Sequence, residues 1–342
     1  MPSPVQPSSA PPVLPHPVIV GDIGGTNARF AFQRAPDEPL VMLGRFKTAD
    51  FATVSLALKA AAGQASEPPR SAVLCGAGPV ANRRCALTNA SWIIDGPELV
   101  RLNGLQDGLL LNDFEAQALS LPALPASVLE PIGDVAPGTG PCVVLGPGTG
   151  LGVGALITLD GRYAPLPSEG GHVDLAATDP EQERVFAHVA RKVGRLTAET
   201  VLSGPGLVAL HAASAQARGD QPDGRDGVAI VDAALADAGS DEADTVRLFL
   251  RIMARFSGDM AIVFGATGGV TLAGGILPRV KSLINPKAFR ADFERKDPVR
   301  ALAARIATRL VVSPDAVLHG MAAIAAQPER YALAYGERLW SR

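Results

Sequence analysis

Val18-Ile-Val-Gly-Asp-Ile-Gly-Gly-Thr-Asn27 decides the reading of this chain, together with a counterpart further on, Cys142-Val-Val-Leu-Gly-Pro-Gly-Thr-Gly-Leu-Gly152. In each, a β-branched run enters a glycine loop, and a second apolar run follows: Phe30-Ala-Phe32 after the first, Val153 to Leu159 after the second. Both read as strand, glycine loop, strand. Two loops in matching context make a weak internal duplication, with one phosphate loop in each of two lobes. Glycines let the backbone approach a phosphate without Cβ clashes, and consecutive N–H groups form an anion-binding nest. The candidate phosphate loops are therefore Asp22-x-Gly24-Gly25-Thr26 and Gly146-x-Gly148-Thr149-Gly150-x-Gly152. Asp22 is the candidate to hold Mg²⁺ through water, since that ion keeps part of its hydration shell.

Other phosphate-loop chemistries fit less well. No G-x-x-x-x-G-K-[ST] occurs, which excludes a P-loop NTPase. Gly150-x-Gly152-x-x-Ala155 matches a loose dinucleotide fingerprint, but that fingerprint must open a helix. Here it runs into Val153 to Leu159 and an Asp160-Gly161 turn, the signature of a hairpin. Tight turns with no ligand remain the plain alternative for either loop alone.

Around these loops, Leu40 to Phe46, Ala72 to Leu74 and Leu109 to Leu111 read as strands, and Phe51 to Ala62 as a helix. Phe114 to Leu121 begins a helix, with Asp113 in or near its capping position. Pro122 to Pro141 is aperiodic and rich in Pro and Gly, the best candidate for a crossing between lobes. Helices follow over Glu181 to Val193, Ala229 to Ala238, Asp244 to Phe264 and His319 to Ala326. A strand over Gly269 to Ala273 ends in Gly274-Gly275. Alternating strands and helices predict an α/β fold, and 342 residues are long for one core.

Asn112-Asp113 follows a strand that should be buried, and a carboxylate at such a strand's C-terminal edge faces the ligand crevice of an open α/β sheet. Phosphoryl transfer to an alcohol needs a base within hydrogen-bond reach of that alcohol. Spacing alone leaves Asp113 open between this role and that of helix cap. Ser168-Glu169-Gly170-Gly171-His172 is a second polar cluster, suited to hydroxyls or simply to a surface loop; no partner His or Cys is spaced to make it a zinc site. Glu199 by itself reads as an exposed helical glutamate. Gly274-Gly275 could let a nucleotide base or ribose lie on the backbone, or could be a plain turn.

The bulk numbers exclude several classes. A net charge of −3 with no basic run makes nucleic acid an unexpected partner. Three widely spaced cysteines suggest buried free thiols in a reducing cytosol rather than a disulfide framework. No stretch approaches a membrane span. Met1 to Pro17 lacks the basic start and apolar run of a secretory signal and reads as a disordered tail.

Taken together, these residues resemble the bacterial glucokinase family, the non-ROK group within the hexokinase and actin-like ATPase superfamily. The resemblance spans about Val18 to Met321. It rests on Gly21-Asp-Ile-Gly-Gly-Thr-Asn-Ala-Arg29, Leu111-Asn-Asp-Phe114, Leu145-Gly-Pro-Gly-Thr-Gly-Leu-Gly-Val153, Glu169-Gly-Gly-His-Val-Asp174, Thr197-Ala-Glu-Thr-Val-Leu-Ser-Gly-Pro-Gly-Leu207 and Gly269-Val-Thr-Leu-Ala-Gly-Gly-Ile276. It implies a two-lobed actin-like ATPase (ribonuclease H-like) fold with nucleotide and sugar in the interlobe cleft. The small domain would cover 18–123 plus 314–342, and the large one 124–313. It implies transfer of phosphate from ATP, with Mg²⁺, to the 6-hydroxyl of D-glucose, by a cytoplasmic homodimer, with the lobes closing on glucose. Asp113 matches the catalytic base; Asn112, Asp113, Glu169, His172 and Glu199 match the glucose contacts; Gly21, Asp22, Ile23, Gly24, Gly25 and Thr26 match the first phosphate loop, and Gly148, Thr149 and Gly150 lie in the second. Related ROK sugar kinases carry a cysteine-rich zinc motif that this sequence lacks, so no structural zinc is expected. A kinase for another hexose and a non-enzymatic sugar-responsive regulator are the alternatives.

Overall fold

The computed structural model of the chain describes residues 11–88 and 90–342, which divide into two compact units. The first contains 11–124, 158–165 and 315–342; the second contains 125–157 and 166–314. The segment Thr158–Pro165 thus groups with the first unit, where the sequence reading had assigned it to the large domain.

The first unit is built on β1 (Val18–Ile23), β2 (Asn27–Gln33), β3 (Val41–Lys47), β4 (Ser71–Gly76), β8 (Asp107–Asn112) and β15 (Leu339–Ser341). Their order is β15-β8-β4-β1-β2-β3. β1 runs antiparallel to β2 and parallel to β4, and β4 parallel to β8. β1 and β4 are buried almost throughout, as their apolar sequences require of central strands. Helices α1 (Val54–Ala62), α2 (Gly96–Asn103), α3 (Asp113–Ser120) and α11 (Ala316–Ala326) complete the unit, with a small sheet of β5 (Val80–Ala81), β6 (Arg84–Ala86) and β7 (Ile93–Asp95). The C-terminal strand is anchored by Trp340, buried against Gly96 and Gly108; a Cβ on either glycine would fall within 2.3 Å of the indole.

Residues 1–10 of the expected tail lie outside the described residues. The remainder does not behave as a disordered tail. Leu14 is buried, the Ser71 hydroxyl donates to the Pro15 carbonyl at 2.8 Å, and the Arg70 N–H donates to the Pro17 carbonyl at 2.7 Å. Leu14, and backbone carbonyls that meet donors at the start of β4, hold it down.

The second unit repeats the scheme. Its sheet is made of β9 (Leu129–Pro131), β10 (Cys142–Pro147), β11 (Leu151–Leu159), β12 (Arg162–Ser168), β13 (Gly269–Leu272) and β14 (Thr308–Val311), in the order β12-β11-β10-β13-β14-β9, with the end of β11 and the start of β12 falling in the segment that groups with the first unit. β10 is antiparallel to β11 and parallel to β13, β13 is parallel to β14, and β14 is antiparallel to β9. The segment read as a crossing contains the change of unit, between Leu124 and Pro125, and also supplies this edge strand. Helices α4 (Pro180–Val193), α5 (Ala198–Val201), α6 (Gly204–Arg218), α7 (Gly227–Ala236), α8 (Asp241–Val263), α9 (Pro286–Glu294) and α10 (Arg300–Ala303) enclose one large core around Phe249, Met253, Phe256 and Phe293. Helix starts follow side-chain chemistry: Asp179, Ser203, Asp226 and Ser240 cap α4, α6, α7 and α8.

Candidate active site

In the first unit, three neighbouring strands end together. Asp22 on β1 lies beside Cys75 on β4 and opposite Arg29 on β2. The Arg29 guanidinium closes on Oδ2 of Asp22, and the Cys75 thiol donates to Oδ1 at 3.4 Å. Arg29 also lies 3.8 Å from Asp315, which precedes α11. Both Asp22 oxygens thus have protein donors. The remaining lone pairs can accept a metal-bound water.

Asn112 ends β8 and caps α3. Its Oδ1 accepts the N–H groups of Phe114 and Glu115 at 3.0 and 3.1 Å, and the Glu115 carboxylate reaches back to the Asn112 N–H at 3.3 Å. This is a capping box. It settles the ambiguity left by spacing: the cap is Asn112, and Asp113 is the first residue of the helix. The Asn112 amide nitrogen donates to the Gly78 carbonyl at 3.0 Å, leaving one N–H for another acceptor. Glu115 is buried and paired with Arg338 at 2.8 Å, so the cap is clamped from the C-terminal segment.

The half-buried Asp113 carboxylate accepts the Phe114 N–H at 3.0 Å through Oδ1. Burial pushes its carboxyl up to about 7, and the Asp22 charge adds to this; the backbone N–H groups and Asn112 pull the other way. The surrounding thiols feel the same field. Burial, with Asp113 nearby, pushes Cys85 up to about 12, and burial with Asp22 and Asp113 also drives Cys75 well above the usual thiol range. Both therefore stay as neutral thiols beside the carboxylates. Cys142 is also a free thiol, half-buried rather than buried.

The first glycine loop is shorter than the sequence suggested. Gly21 and Ile23 are buried inside β1, and a Cβ on Gly21 would meet the Phe30 ring at 2.7 Å and Leu74 at 2.8 Å. Their backbones are committed to strands on both sides, so neither can form part of a phosphate nest. The loop itself is Gly24–Gly25–Thr26. The Gly24 N–H donates to the Asn27 carbonyl at 2.9 Å, and Thr48 pins the loop by donating its N–H to the Thr26 carbonyl and its hydroxyl to the Gly24 carbonyl. Among the described residues, the N–H groups of Gly25 and Thr26 have no protein partner.

In the second unit, Gly148 and Thr149 are exposed at the tip of the loop after β10. The Gly148 N–H donates to the Gly150 carbonyl, and its own carbonyl accepts the Gly204 N–H at the start of α6, both at 2.8 Å. No atom lies within 4 Å of where a Cβ on Gly148 would stand, and the same is true of Gly275. Gly274 differs: its φ is +87°, and a Cβ would meet the Pro147 carbonyl at 2.5 Å. Gly274 shapes the turn, and Gly275 leaves a bare, exposed backbone surface beside it.

Glu199 connects this loop to the polar cluster. Its Oε2 accepts the Leu151 N–H at 2.8 Å, and a Cβ on Gly150 would collide with that carboxylate. Its Oε1 lies 3.8 Å from His172 Nδ1, while His172 Nε2 lies 3.7 Å from Glu169 Oε2. The three side chains form a row, and 86% of the Glu169 side chain is exposed. Ser168 steadies the turn by accepting the Gly170 N–H at 2.9 Å. Gly171 admits the Leu151 carbonyl where a Cβ would stand 2.1 Å away.

Within the first unit the fold therefore gathers Asp22, Asn112 and Asp113; within the second it gathers Gly148, Gly150, Glu169, His172 and Glu199. Sequence reasoning missed Arg29, Glu115 and Arg338 as supporting groups. The Asn112-x-x-Glu115 spacing was a legible signal for the cap; nothing local marked Arg338.

A family model for glucokinase matches residues 19–328. The glucokinase of Chelativorans sp. (strain BNC1) is 41% identical over 335 residues, 96% of each chain. Among solved structures, a glucokinase from an Antarctic psychrotroph superposes with a TM-score of 0.79 at 30% identity, covering 90% of this chain and 98% of that one. A ROK-family glucokinase from Streptomyces griseus, solved with glucose and AMPPNP, shares the fold at a TM-score of 0.63 and 20% identity, covering 91% of this chain and 100% of that one. The fold is thus the α/β actin-like ATPase fold of the sugar kinases, and the chain belongs to the glucokinase family.

Proposed function

We propose that this chain transfers the γ-phosphoryl group of ATP to the 6-hydroxyl of D-glucose, with Asp113 as the base that accepts the hydroxyl proton. One observation carries the assignment of the base. Asn112 takes the capping duty, so Asp113 stands in the first turn with a carboxyl held at about 7. A base near the working pH is half-ionised there and has strong affinity for a proton in transit. Arg29 and Cys75 hold Asp22 in place, and its charge tunes Asp113.

Glu169, His172, Glu199 and the free Asn112 N–H are the proposed sugar ligands, since carboxylates, imidazole and amide suit a ring of hydroxyls. The unpartnered N–H groups of Gly25 and Thr26 and the open backbone at Gly148, Thr149 and Gly275 are the proposed nucleotide surface. Gly24 and Gly274 set the shape of those turns. Mg²⁺, bound with the nucleotide, would neutralise phosphoryl charge; Asp22 can reach it through water. The resemblance further supports a cytoplasmic homodimer, which light scattering of the purified chain would test.

The deciding assay is release of ADP with and without glucose. Glucose-dependent release is expected, and Asp113→Asn should abolish nearly all of it while glucose still binds. Near-normal turnover in that variant would remove Asp113 as the base.

A further inference from the structure

Away from these residues, the second unit holds a cluster that the kinase reaction does not use. His211 on α6 is buried, with 6% of its surface exposed. Asp223 lies in the segment joining α6 to α7, and Glu242 in the first turn of α8. One ligand atom from each falls within 4.8 Å of the others.

The hydrogen bonds fix the imidazole's tautomer. The Thr245 hydroxyl donates its proton to the Asp241 carbonyl at 2.9 Å, so it can only accept from His211 Nδ1, 3.0 Å away. Nδ1 therefore carries the hydrogen. In the neutral ring Nε2 is a bare lone pair, and it faces Oδ1 of Asp223 at 3.5 Å. Two acceptors aimed at each other repel unless a cation stands between them.

Arg225 reaches Asp223 from its other oxygen, so the cation between Nε2 and Oδ1 themselves is either a proton on Nε2 or a metal ion. A charge-assisted N–H···O bond closes to about 2.7–2.9 Å, well short of the observed spacing. Tetrahedral zinc with bonds of 2.0–2.1 Å sets its ligand atoms about 3.4 Å apart. The observed 3.5 Å matches the metal.

The surroundings resemble an outer shell. Arg225 bridges the two carboxylates: its Nε meets Asp223 Oδ2 at 2.7 Å, and its Nη1 meets Glu242 Oε1 at 2.9 Å. Asp223 Oδ1 faces the ring, Glu242 brings a second carboxylate within 4.8 Å, and the His211–Thr245 bond orients the imidazole, as outer partners of metal ligands do. Two carboxylates and one guanidinium leave a net charge of −1 around a neutral imidazole.

We propose that His211 Nε2, Asp223 and Glu242 bind a divalent ion of the zinc class, with water in the fourth position. The site would pin the segment between α6 and α7 onto α8. It is unrelated to the cysteine-rich zinc motif that the sequence lacks, and the His-x₁₁-Asp-x₁₈-Glu spacing follows no short motif.

The test is calorimetric titration of Zn²⁺ into the full chain after removal of metal by a chelator. One ion per chain is expected, with binding lost in His211→Ala and at least tenfold weaker in Asp223→Asn, an exposed position that should leave the fold intact. Co²⁺ should give the visible bands of a tetrahedral N/O site in the wild type and not in His211→Ala. None of these readouts depends on kinase activity. Equal Zn²⁺ binding in wild type and Asp223→Asn, or absence of stoichiometric binding with a proton found on Nε2 by NMR, would overturn the proposal and leave a buried ion pair.

Discussion

The two units share one strand plan and use it differently. In each, a first strand pairs antiparallel with the second and parallel with a third, which continues parallel to a fourth. In the first unit, those strand ends carry chemistry themselves: Asp22 on β1, Cys75 on β4, and Asn112-Asp113 at the end of β8. In the second, the corresponding ends carry glycines and apolar residues: Gly146-Pro147 on β10, Ala273-Gly274-Gly275 after β13, and Val311-Val312 at β14. Its polar groups arrive instead on the segment between β12 and α6. A buried strand end can raise a carboxyl's proton affinity, as Asp113 shows; an open loop can leave a carboxylate in solvent, as Glu169 shows. On the proposed reading, the duplicated plan separates a base that must be tuned from ligands that must only be presented.

This contrast can be broken at Asp113 first. Asp113→Asn should lower kcat by ~10²–10⁴-fold, the usual range for loss of a general base. It should also stabilise the fold. The folded-state carboxyl, at about 7, lies above its ordinary value of 3.8, so the folded chain holds the proton more tightly than the unfolded one. This group's stabilisation is present below the ordinary value and is lost as pH rises through 7. Above pH 7 the charged form carries the full penalty, and removing it should gain about 1–3 kcal/mol at pH 8, after allowance for the residue's partial exposure. A lower Tm for Asp113→Asn at pH 8 would contradict the buried-charge account.

The next effect tests the second unit's row. Glu199 touches both the glycine loop and His172, while Glu169 touches only His172. Glu199→Ala should therefore raise KM for both ATP and glucose, with a loss of about 1–3 kcal/mol for the unpaired Leu151 N–H and its neighbours. Glu169→Ala should raise KM for glucose alone. Equal behaviour of the two variants in steady-state kinetics would erase the distinction.

A smaller pair of effects separates the two kinds of glycine. Gly21→Ala forces a Cβ into Phe30 and Leu74 and should cost about 1–3 kcal/mol of stability, read as a lower Tm. Gly148→Ala meets open space, so its stability should stay within about 0.5 kcal/mol of the wild type. Only ATP affinity should fall, by nucleotide titration.

Much of this was legible in the sequence, for physical reasons. β-branched runs ending in glycine mark buried strands and their loops, and both loops lie where the pattern places them. Gly21 and Gly24 could not be told apart locally, because only the approach of Phe30 and Leu74 distinguishes a packing glycine from a loop glycine. Asn112 and Asp113 are both good caps, and the choice is made by Glu115, whose buried position depends on Arg338 far along the chain. Helix α6 was hidden because it opens Gly204-Pro-Gly206, a stretch that reads as a turn until Ser203 caps it. The pairing of Asp22 with Arg29 needs the β1–β2 register, which no spacing rule supplies.

The central claim is that burial and Asp22 hold the Asp113 carboxyl near neutrality so that it can serve as the base. The most direct measurement is the pH profile of kcat/KM for glucose at saturating ATP, which reports groups of the enzyme before glucose binds. The account predicts an acid limb, with activity falling as pH drops through about 7, and a shift of that limb to lower pH in Asp22→Asn, where the repelling charge is gone. A profile that stays flat down to the ordinary carboxylate range, near pH 4, would contradict it.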